Sequence, residues 1–185
     1  MTQTAPPLAT PITAGEYRAR RDRLLAHPEA ELAGGFVWWG NHRIFYLSGF
    51  AFVPTERPIA LLISREGETV LFVPRLELEH AQAYAQVDRV VSYPEYPDRE
   101  HPMTHLARHM TALGMSGSFY GDGDGYGKVM GYRGDKLSEV SGLSFSAFDD
   151  ALEAMMQVKS ESEIALIRES ARWAAHAHRL LQDYT

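Results

Sequence analysis

The sequence predicts an α/β domain built on a mixed β-sheet. Short runs of bulky apolar residues alternate with segments of helical spacing along most of the 185 residues, and such alternation is typical of parallel strands joined by helices. Two of the runs are separated only by a short polar joint containing Gly67, which indicates an antiparallel hairpin. A sheet that contains both kinds of connection is mixed.

The predicted strands are short apolar runs bounded by glycine, proline or polar residues, as buried strands usually are. Gly34 and Gly35 precede the first run, and Pro94 follows the fifth. No repeat or low-complexity segment interrupts the order. The strands are predicted at residues 36–39, 44–47, 59–63, 69–73, 87–91, 118–120 and 143–145.

The predicted helices are identified by apolar spacing and by their capping residues. Thr13 and Glu16 have the spacing of a capping box and begin the first helix. Pro102 suits the first turn of another helix, and Ser160 with Glu163 forms a second capping box that restarts the C-terminal helix. The helices are predicted over residues 13–33, 76–85, 102–113, 126–139 and 148 onward, with Gly34 and Gly35 ending the first.

Composition excludes several classes of protein. Hydrophobic residues make up 45% and charged residues 23% of the chain, which is ordinary for a globular protein and not for a disordered one. The chain has no cysteine, which excludes disulfides, thiolate zinc sites and a cysteine nucleophile. The net charge of −6 argues against a nucleic-acid or anionic-membrane binder. Without an apolar span or a signal-peptide pattern, we expect a cytoplasmic protein.

The glycine-rich loop at residues 121–128 fits none of the ligand-binding motifs that it suggests. A phosphate-binding loop needs Ser or Thr after Lys128, where Val129 stands. The alternating glycines do not match a dinucleotide fingerprint, and Arg133 occupies the position where a calcium loop needs glutamate. The loop is interpreted as a turn between a strand and a helix.

Possible metal ligands are dispersed. His101, His105 and His109 are four residues apart, but no acidic residue of the same segment is expected to join them, so an exposed helix face is the preferred interpretation. Acidic residues in two places could in principle form a two-metal nuclease cluster, a hypothesis that the acidic net charge disfavours. These acidic residues are Asp122, Asp124, Asp149 and Asp150.

Two stretches resemble the N-terminal part of the Xaa-Pro peptidase (aminopeptidase P, prolidase) and creatinase family. Residues 43–50 and 54–61 are similar to the signature N-x-x-Y-L-T-G-F followed by R-P-x-A-L, and residues 158–168 are similar to the linker V-K-S-x-x-E-I-x-x-I-R. The segment 71–75 ahead of Glu77 also fits. Arg43 stands where asparagine is usual and Met156 where arginine is usual, and we expect these departures to weaken the contacts made there.

The resemblance implies a ribonuclease-H-like α/β fold for a domain that performs no catalysis itself. It implies three segments: a lead-in at 1–12, the N-terminal domain at 13–148, and a linker with the first helix of a catalytic pita-bread domain at 149–185. In the family, that catalytic domain binds two divalent metals (Mn, Co or Zn) through Asp, His and Glu. All of those ligands are expected beyond Thr185, so this chain is expected to have no catalytic residue, metal ligand or cofactor and to be inactive alone.

The resemblance also implies a role in gating access to substrate and in dimerisation. The expected partners are the chain's own catalytic domain, a second subunit and a small peptide or amide substrate. Arg57 matches a position where creatinase-like members of the family present an arginine to the substrate carboxylate, and a guanidinium suits such a contact; a surface salt bridge is the alternative. Trp39, Phe50 and Phe52 are candidates for the wall of the opening through which substrate would reach Arg57, with core packing as the alternative. Alternative functions are a creatinase- or ectoine-hydrolase-type small-amide hydrolase and a non-catalytic protein-binding pseudo-peptidase. A nuclease rests on fold analogy alone.

Overall fold

A computed structural model describes residues 10–95, 100–127 and 132–184. The described part contains six strands and seven α-helices. The strands are β1 Gly35–Trp38, β2 Ala60–Ser64, β3 Thr69–Pro74, β4 Arg89–Tyr93, β5 Ser118–Gly121 and β6 Ser144–Ala147. The helices are α1 Ala14–Leu25, α2 Asn41–Ser48, α3 Leu78–Tyr84, α4 Pro102–Ala112, α5 Leu137–Ser141, α6 Asp149–Gln157 and α7 Glu161–Asp183, with 3₁₀ turns at Pro28–Ala30 and Arg75–Glu77.

The six strands form one mixed sheet in the order β4-β3-β2-β1-β5-β6. β1, β2 and β3 are antiparallel neighbours, whereas β5 and β6 continue the sheet in parallel from β1, and β4 pairs in parallel with β3. The predicted hairpin is β2–β3, and Gly67 in its turn has a φ of 91°, which glycine adopts without strain. The predicted mixed α/β sheet is confirmed.

Helices cover both faces of the sheet. Successive side chains of a strand point to opposite faces, so Phe36 and Trp38 pack in one core while Val37 and Trp39 pack in the other. The first core is closed by α1, α2, α3 and α6, and the second by α4 and α5. Because β1 is covered on both faces, all four of its residues are buried, which explains its uninterrupted apolar sequence.

The predicted strand at 44–47 is wrong, because this segment lies within α2. Ile44 and Leu47 are three residues apart and share the buried face of the helix, while Phe45 faces outward and is exposed. Gly49 ends the helix in the left-handed conformation, with a φ of 73°, and its N–H bonds back to the Phe45 carbonyl. A run of four apolar residues does not distinguish a strand from a short buried helix.

Two helix predictions extend too far. The first helix ends at Leu25, because Pro28 begins a separate 3₁₀ turn, and the glycine pair instead permits close backbone approach. A Cβ at Gly34 would overlap the Ser116 carbonyl. The helix predicted over 126–139 is reduced to α5; residues 132–136 are not helical, and 128–131 lie outside the described residues, as does the lead-in through residue 9.

A polar cluster connects the start of α7 to α1, and we call Glu16, Arg20, Ser160 and Glu163 the α1–α7 cluster. Ser160 and Glu163 form the predicted capping box, with bonds of 2.9 and 3.2 Å. Ser160 Oγ also donates to Glu16 Oε1 at 2.6 Å, and Arg20 Nη2 donates to the same oxygen at 2.6 Å. Burial alone would raise the pKa of Glu16, but the hydrogen bonds from Ser160 and Arg20 outweigh it, so that this pKa lies below its usual value.

The rest of α7 has little contact with the domain. None of its 23 residues is buried, and its exposed apolar side chains include Ile167, Trp173 and Leu180. Within the described ranges, no helix is long and apolar enough to cross a membrane. The direction of α7 therefore depends on the contacts at its first turn.

We expect Ser160→Asp to loosen α7 without removing its cap. Aspartate caps a helix about as well as serine, but its carboxylate would face Glu16, where serine now donates a hydrogen bond. Because the chain has no cysteine, spin labels at Arg18→Cys and Ala171→Cys report the α1–α7 distance directly. The distance distribution from pulsed electron paramagnetic resonance should broaden in Ser160→Asp.

The control is Ser170→Asp, which places the same charge ten residues further along α7, at an exposed position outside the α1–α7 cluster. Its distance distribution should match that of the parent chain. An equally narrow distribution in Ser160→Asp would show that the α1–α7 cluster does not hold the helix.

Candidate functional site

Arg57 lies in the loop that joins α2 to β2, at the edge of a cavity. The Arg57 N–H donates to Thr55 Oγ1 at 3.2 Å, and the Pro58 carbonyl accepts a hydrogen bond from the Tyr93 hydroxyl at 3.1 Å. These bonds hold the loop beside the end of β4. The cavity, of about 410 Å³, is here called the Arg57 cavity; it is lined by Glu56, Arg57, Pro58, Tyr93, Glu95, His101, Pro102, Tyr132, Arg133 and Gly134.

Two carboxylates face one edge of the Arg57 guanidinium. Glu95 Oε2 lies 3.4 Å and Glu56 Oε1 3.7 Å from Arg57 Nε. Within residues 10–95, 100–127 and 132–184, neither Nη1 nor Nη2 of Arg57 donates a hydrogen bond to the protein. The side chain is 31% exposed. Arg57 Nε is buried and donates no hydrogen bond to the described residues, so the two carboxylates attract this side of the guanidinium by charge, and the two terminal nitrogens have no described protein partner.

Two tyrosines form the aromatic part of the cavity wall. Burial, and next the charge of Glu95, raise the pKa of Tyr93 above its usual value. Burial raises the pKa of Tyr132 to about 12, with a smaller effect from Asp135. Both phenols are therefore neutral near pH 7. The Tyr132 hydroxyl is buried and has no hydrogen-bond partner among the described residues.

The three predicted aromatic contacts do not line the Arg57 cavity. Phe50 is fully buried and stacks on Phe52, with ring centres 5.5 Å apart, in the core on the opposite face of the sheet from Tyr93. The interpretation of Phe50 as part of the wall of a substrate opening is corrected. Phe50 has no exposed surface and is a core residue. Contact between Phe52 and substrate stays a prediction, although Phe52 lies on the same face as Phe50.

Trp39 supports the Arg57 loop from a distance. Its ring packs on Tyr126 with centres 5.9 Å apart, and the Tyr126 hydroxyl donates to the Thr55 carbonyl at 2.6 Å. Trp39 also lines a separate cavity of about 280 Å³ with Pro54 and Tyr126. Direct contact between Trp39 and substrate stays a prediction. In this structure its contacts hold the loop that carries Arg57.

Asp122 and Asp124, two of the four acidic residues proposed for a nuclease cluster, have structural partners. Asp122, whose side chain is 3% exposed, accepts the N–H groups of Trp39 and Gly40, both at 2.8 Å. Asp124 accepts from the N–H of Ser138 at 2.8 Å and from its hydroxyl at 2.6 Å, at the start of α5. These carboxylates join the ends of strands and helices and do not converge on a metal site.

Arg43, which stands where the signature usually has asparagine, has three acidic partners. It contacts Asp122 at 3.2 Å and Asp149 at 3.8 Å, and it also donates to Glu153. The arginine therefore joins the loop after β5 to α6, and the expected weakening relative to asparagine stays a prediction. Met156, at the other departure, is partly buried against the core.

The histidines of α4 also have ordinary partners. Contrary to expectation, an acidic residue does join them, since Glu100 lies 3.2 Å from His105 Nε2 and pairs with Arg108. His101 caps α4 by accepting the Met103 N–H. Burial, then the charge of Arg89, lowers the pKa of His109. Over the described ranges no group of three His, Cys, Asp or Glu side chains could hold a metal ion.

Sequence reasoning missed Tyr93, Glu95 and Tyr132. They come from the end of β4 and from the segment before α5, and no spacing relates them to Arg57. The position of Tyr132 also requires glycine at residue 134, since a Cβ there would overlap the Tyr132 hydroxyl. Only the structure shows this requirement.

A family model decides the classification. The model of the creatinase/prolidase N-terminal domain matches residues 20–144. The chain belongs to this family. The match covers β1 to β5 and the first residue of β6, together with the Arg57 loop and all the residues that line the Arg57 cavity. The creatinase/prolidase N-terminal domain thus accounts for the fold that carries the site.

The chain is similar to curated proteins along only part of their length. It is 28% identical over 131 residues to an uncharacterized peptidase of Staphylococcus aureus (strain bovine RF122 / ET3-1), a match that covers 71% of this chain and 34% of the relative. The same identity and coverage hold for an uncharacterized peptidase of strain USA300. The chain therefore spans about a third of the length of these relatives.

Solved structures share the fold. A chain titled a proline dipeptidase from Streptococcus pneumoniae is 25% identical, with a TM-score of 0.60, and the match covers 75% of this chain and 98% of that one. A Bacillus anthracis Xaa-Pro dipeptidase is 19% identical, with a TM-score of 0.69 over 94% of this chain and 44% of that one. The Pyrococcus horikoshii prolidase is 19% identical, with a TM-score of 0.64, and the match covers 87% of this chain and 41% of that one. The last two matches show the fold alone.

We expect Asp122→Ala to destabilise this creatinase/prolidase N-terminal domain by about 3 kcal/mol, because it leaves two backbone N–H groups and one side of Arg43 without their acceptor. Urea unfolding followed by circular dichroism measures the free energy of unfolding.

The matched control is Asp149→Ala. That carboxylate is 42% exposed and lies 3.8 Å from Arg43, so its removal should change the free energy of unfolding by at most about 0.5 kcal/mol. Equal losses in the two variants would contradict a structural role specific to Asp122.

Proposed function

We propose that this chain is the substrate-gating and dimerisation domain of a metal-dependent Xaa-Pro peptidase-like hydrolase. The observation that carries the proposal is the family match over residues 20–144, combined with peptidase relatives of which the chain spans about a third. The remaining two thirds of such a relative is where a catalytic domain belongs. The absence of cysteine suits a cytoplasmic location for the whole protein.

The two divalent metals proposed for the whole protein (Mn, Co or Zn) do not fit the residues present. In the described part of the chain, no three potential ligands are close enough to hold one ion, and the best-placed carboxylates, Asp122 and Asp124, are occupied by backbone and hydroxyl donors. Hydrolysis is therefore assigned to the other domain, and this chain contributes binding and access.

The proposed contribution to binding is Arg57. The terminal nitrogens of a guanidinium form two parallel hydrogen bonds to a carboxylate, and in Arg57 those nitrogens have no acceptor within the described residues. Pro58, Pro102 and the two tyrosines supply apolar surface beside them. A small substrate that carries a free carboxylate and an apolar ring suits this cavity.

The proposed partners are the chain's own catalytic domain and a second subunit. α7 leaves the domain with exposed apolar residues, and exposed apolar side chains of this kind are covered when a larger protein assembles. Creatinase- and ectoine-hydrolase-type substrates are also small and carboxylate-bearing, so the Arg57 cavity suits them as a second candidate. A pseudo-peptidase that binds protein partners is the non-enzymatic alternative.

The purified chain should not hydrolyse Xaa-Pro dipeptides in the presence of Mn²⁺, Co²⁺ or Zn²⁺, because it holds no metal site in its described part. A parent protein that includes the following domain should release proline under the same conditions. Proline release, measured by a ninhydrin assay, checks both. Metal-dependent hydrolysis by residues 1–185 alone would contradict the assignment, and a parent that binds metal but hydrolyses none of the candidate substrates would favour the pseudo-peptidase.

In the parent protein, Arg57→Gln should raise KM for a dipeptide with a free carboxylate about tenfold, since it removes one charge-assisted bidentate contact. The KM for the corresponding C-terminal amide should change little. Steady-state kinetics on the acid and amide pair measures this difference.

The control is Arg89→Gln, which removes an arginine paired with Glu68 at the edge of the sheet and should leave both KM values unchanged. An unchanged KM for the free acid in Arg57→Gln would remove Arg57 from the proposed site.

A further inference from the structure

We propose that Glu95 is a positioning residue for Arg57, holding the Nε edge of the guanidinium so that the Nη edge is presented to the Arg57 cavity. The geometric part of this proposal stands on the contacts of Glu95 alone. Its consequence for substrate binding rests on the proposed function, and the experiments below separate the two.

Glu95 is fixed in place by the backbone of a neighbouring element. Its Oε1 accepts the Leu76 N–H at 2.8 Å, at the start of the 3₁₀ turn that follows β3. Its Oε2 lies 3.4 Å from Arg57 Nε. The two oxygens of one carboxylate thus connect the end of β3 to the Arg57 loop, and the side chain is only 20% exposed.

Glu56 provides an internal comparison. Its carboxylate is also near Arg57 Nε, at 3.7 Å, but it is 43% exposed and accepts no hydrogen bond within the described residues. An exposed, unfixed carboxylate loses side-chain entropy when it orients a partner, and such pairs contribute little. Of the two acidic residues beside Arg57, Glu95 is the one whose position is set independently of the arginine.

The backbone on both sides of the Arg57–Glu95 pair is also held. The Tyr93 hydroxyl donates to the carbonyl of Pro58, the residue after Arg57, and the Tyr93 ring stacks on Phe72 with centres 4.8 Å apart. One fixed contact therefore joins residues 58 and 93, and the ion pair joins residues 57 and 95. The pair lies on a stable backbone, which is the condition for one side chain to orient another.

Positioning by Glu95 has a chemical consequence. An arginine guanidinium presents two edges that can pair with a carboxylate, one formed by Nε and Nη2 and one formed by Nη1 and Nη2; with the Nε side facing Glu95, a ligand is left with the edge formed by Nη1 and Nη2. The negative charge of Glu95 also offsets part of the attraction that Arg57 exerts on any anion. The pair therefore favours a planar carboxylate that forms two hydrogen bonds over a compact anion attracted by charge alone.

The geometric part is tested on the 185-residue chain by nuclear magnetic resonance. The Nε–Hε signal of Arg57, assigned by its loss in Arg57→Lys, should be sharp and protected from exchange in the parent chain. In Glu95→Gln, which keeps an oxygen for the Leu76 N–H, the signal should shift and exchange about three- to tenfold faster, as expected for loss of an ion-pair partner. Glu56→Gln is the matched control and should leave the signal unchanged.

The outcomes of this measurement are distinct. An unchanged Arg57 signal in Glu95→Gln, or an equal change in Glu56→Gln, overturns the proposal. The backbone amide spectrum of each variant, with the Leu76 amide as the local reporter, shows that the fold is intact, so a change confined to Arg57 supports positioning.

The functional part is tested by kinetics on the parent protein. Glu95→Gln should raise KM for the free-acid dipeptide about three- to tenfold with kcat unchanged, and it should add no further loss in the double variant with Arg57→Gln, because Glu95 acts through that arginine. A lowered KM in Glu95→Gln would show repulsion of the substrate and overturn positioning. If Arg57→Gln itself leaves KM unchanged, the proposed substrate contact fails, and the exchange measurement alone decides the role of Glu95.

Discussion

The close approach of two parallel backbones, β1 and β5, is the constraint on which the rest of the structure depends. A Cβ at Gly121 would overlap the Val37 carbonyl, and one at Gly34 would overlap that of Ser116, so both positions need glycine. With β5 this close on one side and β2 antiparallel on the other, β1 is buried all round. Its alternating side chains then define the two cores that the helices cover.

Packing alone does not place the loops at the strand ends; a small set of buried polar contacts does. Asp122 holds the residues after β1, Tyr126 holds Thr55, and Tyr93 holds Pro58. Each contact satisfies a backbone group that would otherwise be costly to bury. Two of these contacts end in the segment 55–58, so the loop that carries Arg57 is held on both sides of that residue.

The sequence predicted the features that depend on local chemistry. The β2–β3 hairpin, the capping box at Ser160 and the proline start of α4 are confirmed, because each depends on a few adjacent residues. The segment 44–47 was predicted wrongly, since four apolar residues suit a short helix and a strand equally and only Gly49 and the neighbouring core decide.

The candidate site was predictable only in part, because its residues are far apart in the sequence and meet only in the folded structure. Arg57 is visible as a residue type within a signature, but its cavity is assembled from residues 56–58, 93–95, 101–102 and 132–134, which the chain brings together through the sheet. No sequence spacing predicts that Tyr132 or Glu95 lies near Arg57. Conversely, Phe50 has the composition of a binding aromatic and is a core residue, because composition does not report which face of the sheet a side chain covers.

The arginines of this domain differ in how many of their side-chain nitrogens have protein partners. This difference distinguishes the arginines that join elements of the fold from the one proposed to bind a ligand. Arg20 is 4% exposed, donates to the Tyr46 carbonyl and to Glu16, and lies over the Tyr46 ring. Arg43 contacts three carboxylates. Both are used to join elements of the fold. Arg57 lies on an equally well-held backbone, yet only its Nε side meets protein partners among the described residues. The proposal that Arg57 binds a carboxylate rests on this difference, because the edge formed by Nη1 and Nη2 is the one that forms two parallel hydrogen bonds and it has no described protein partner.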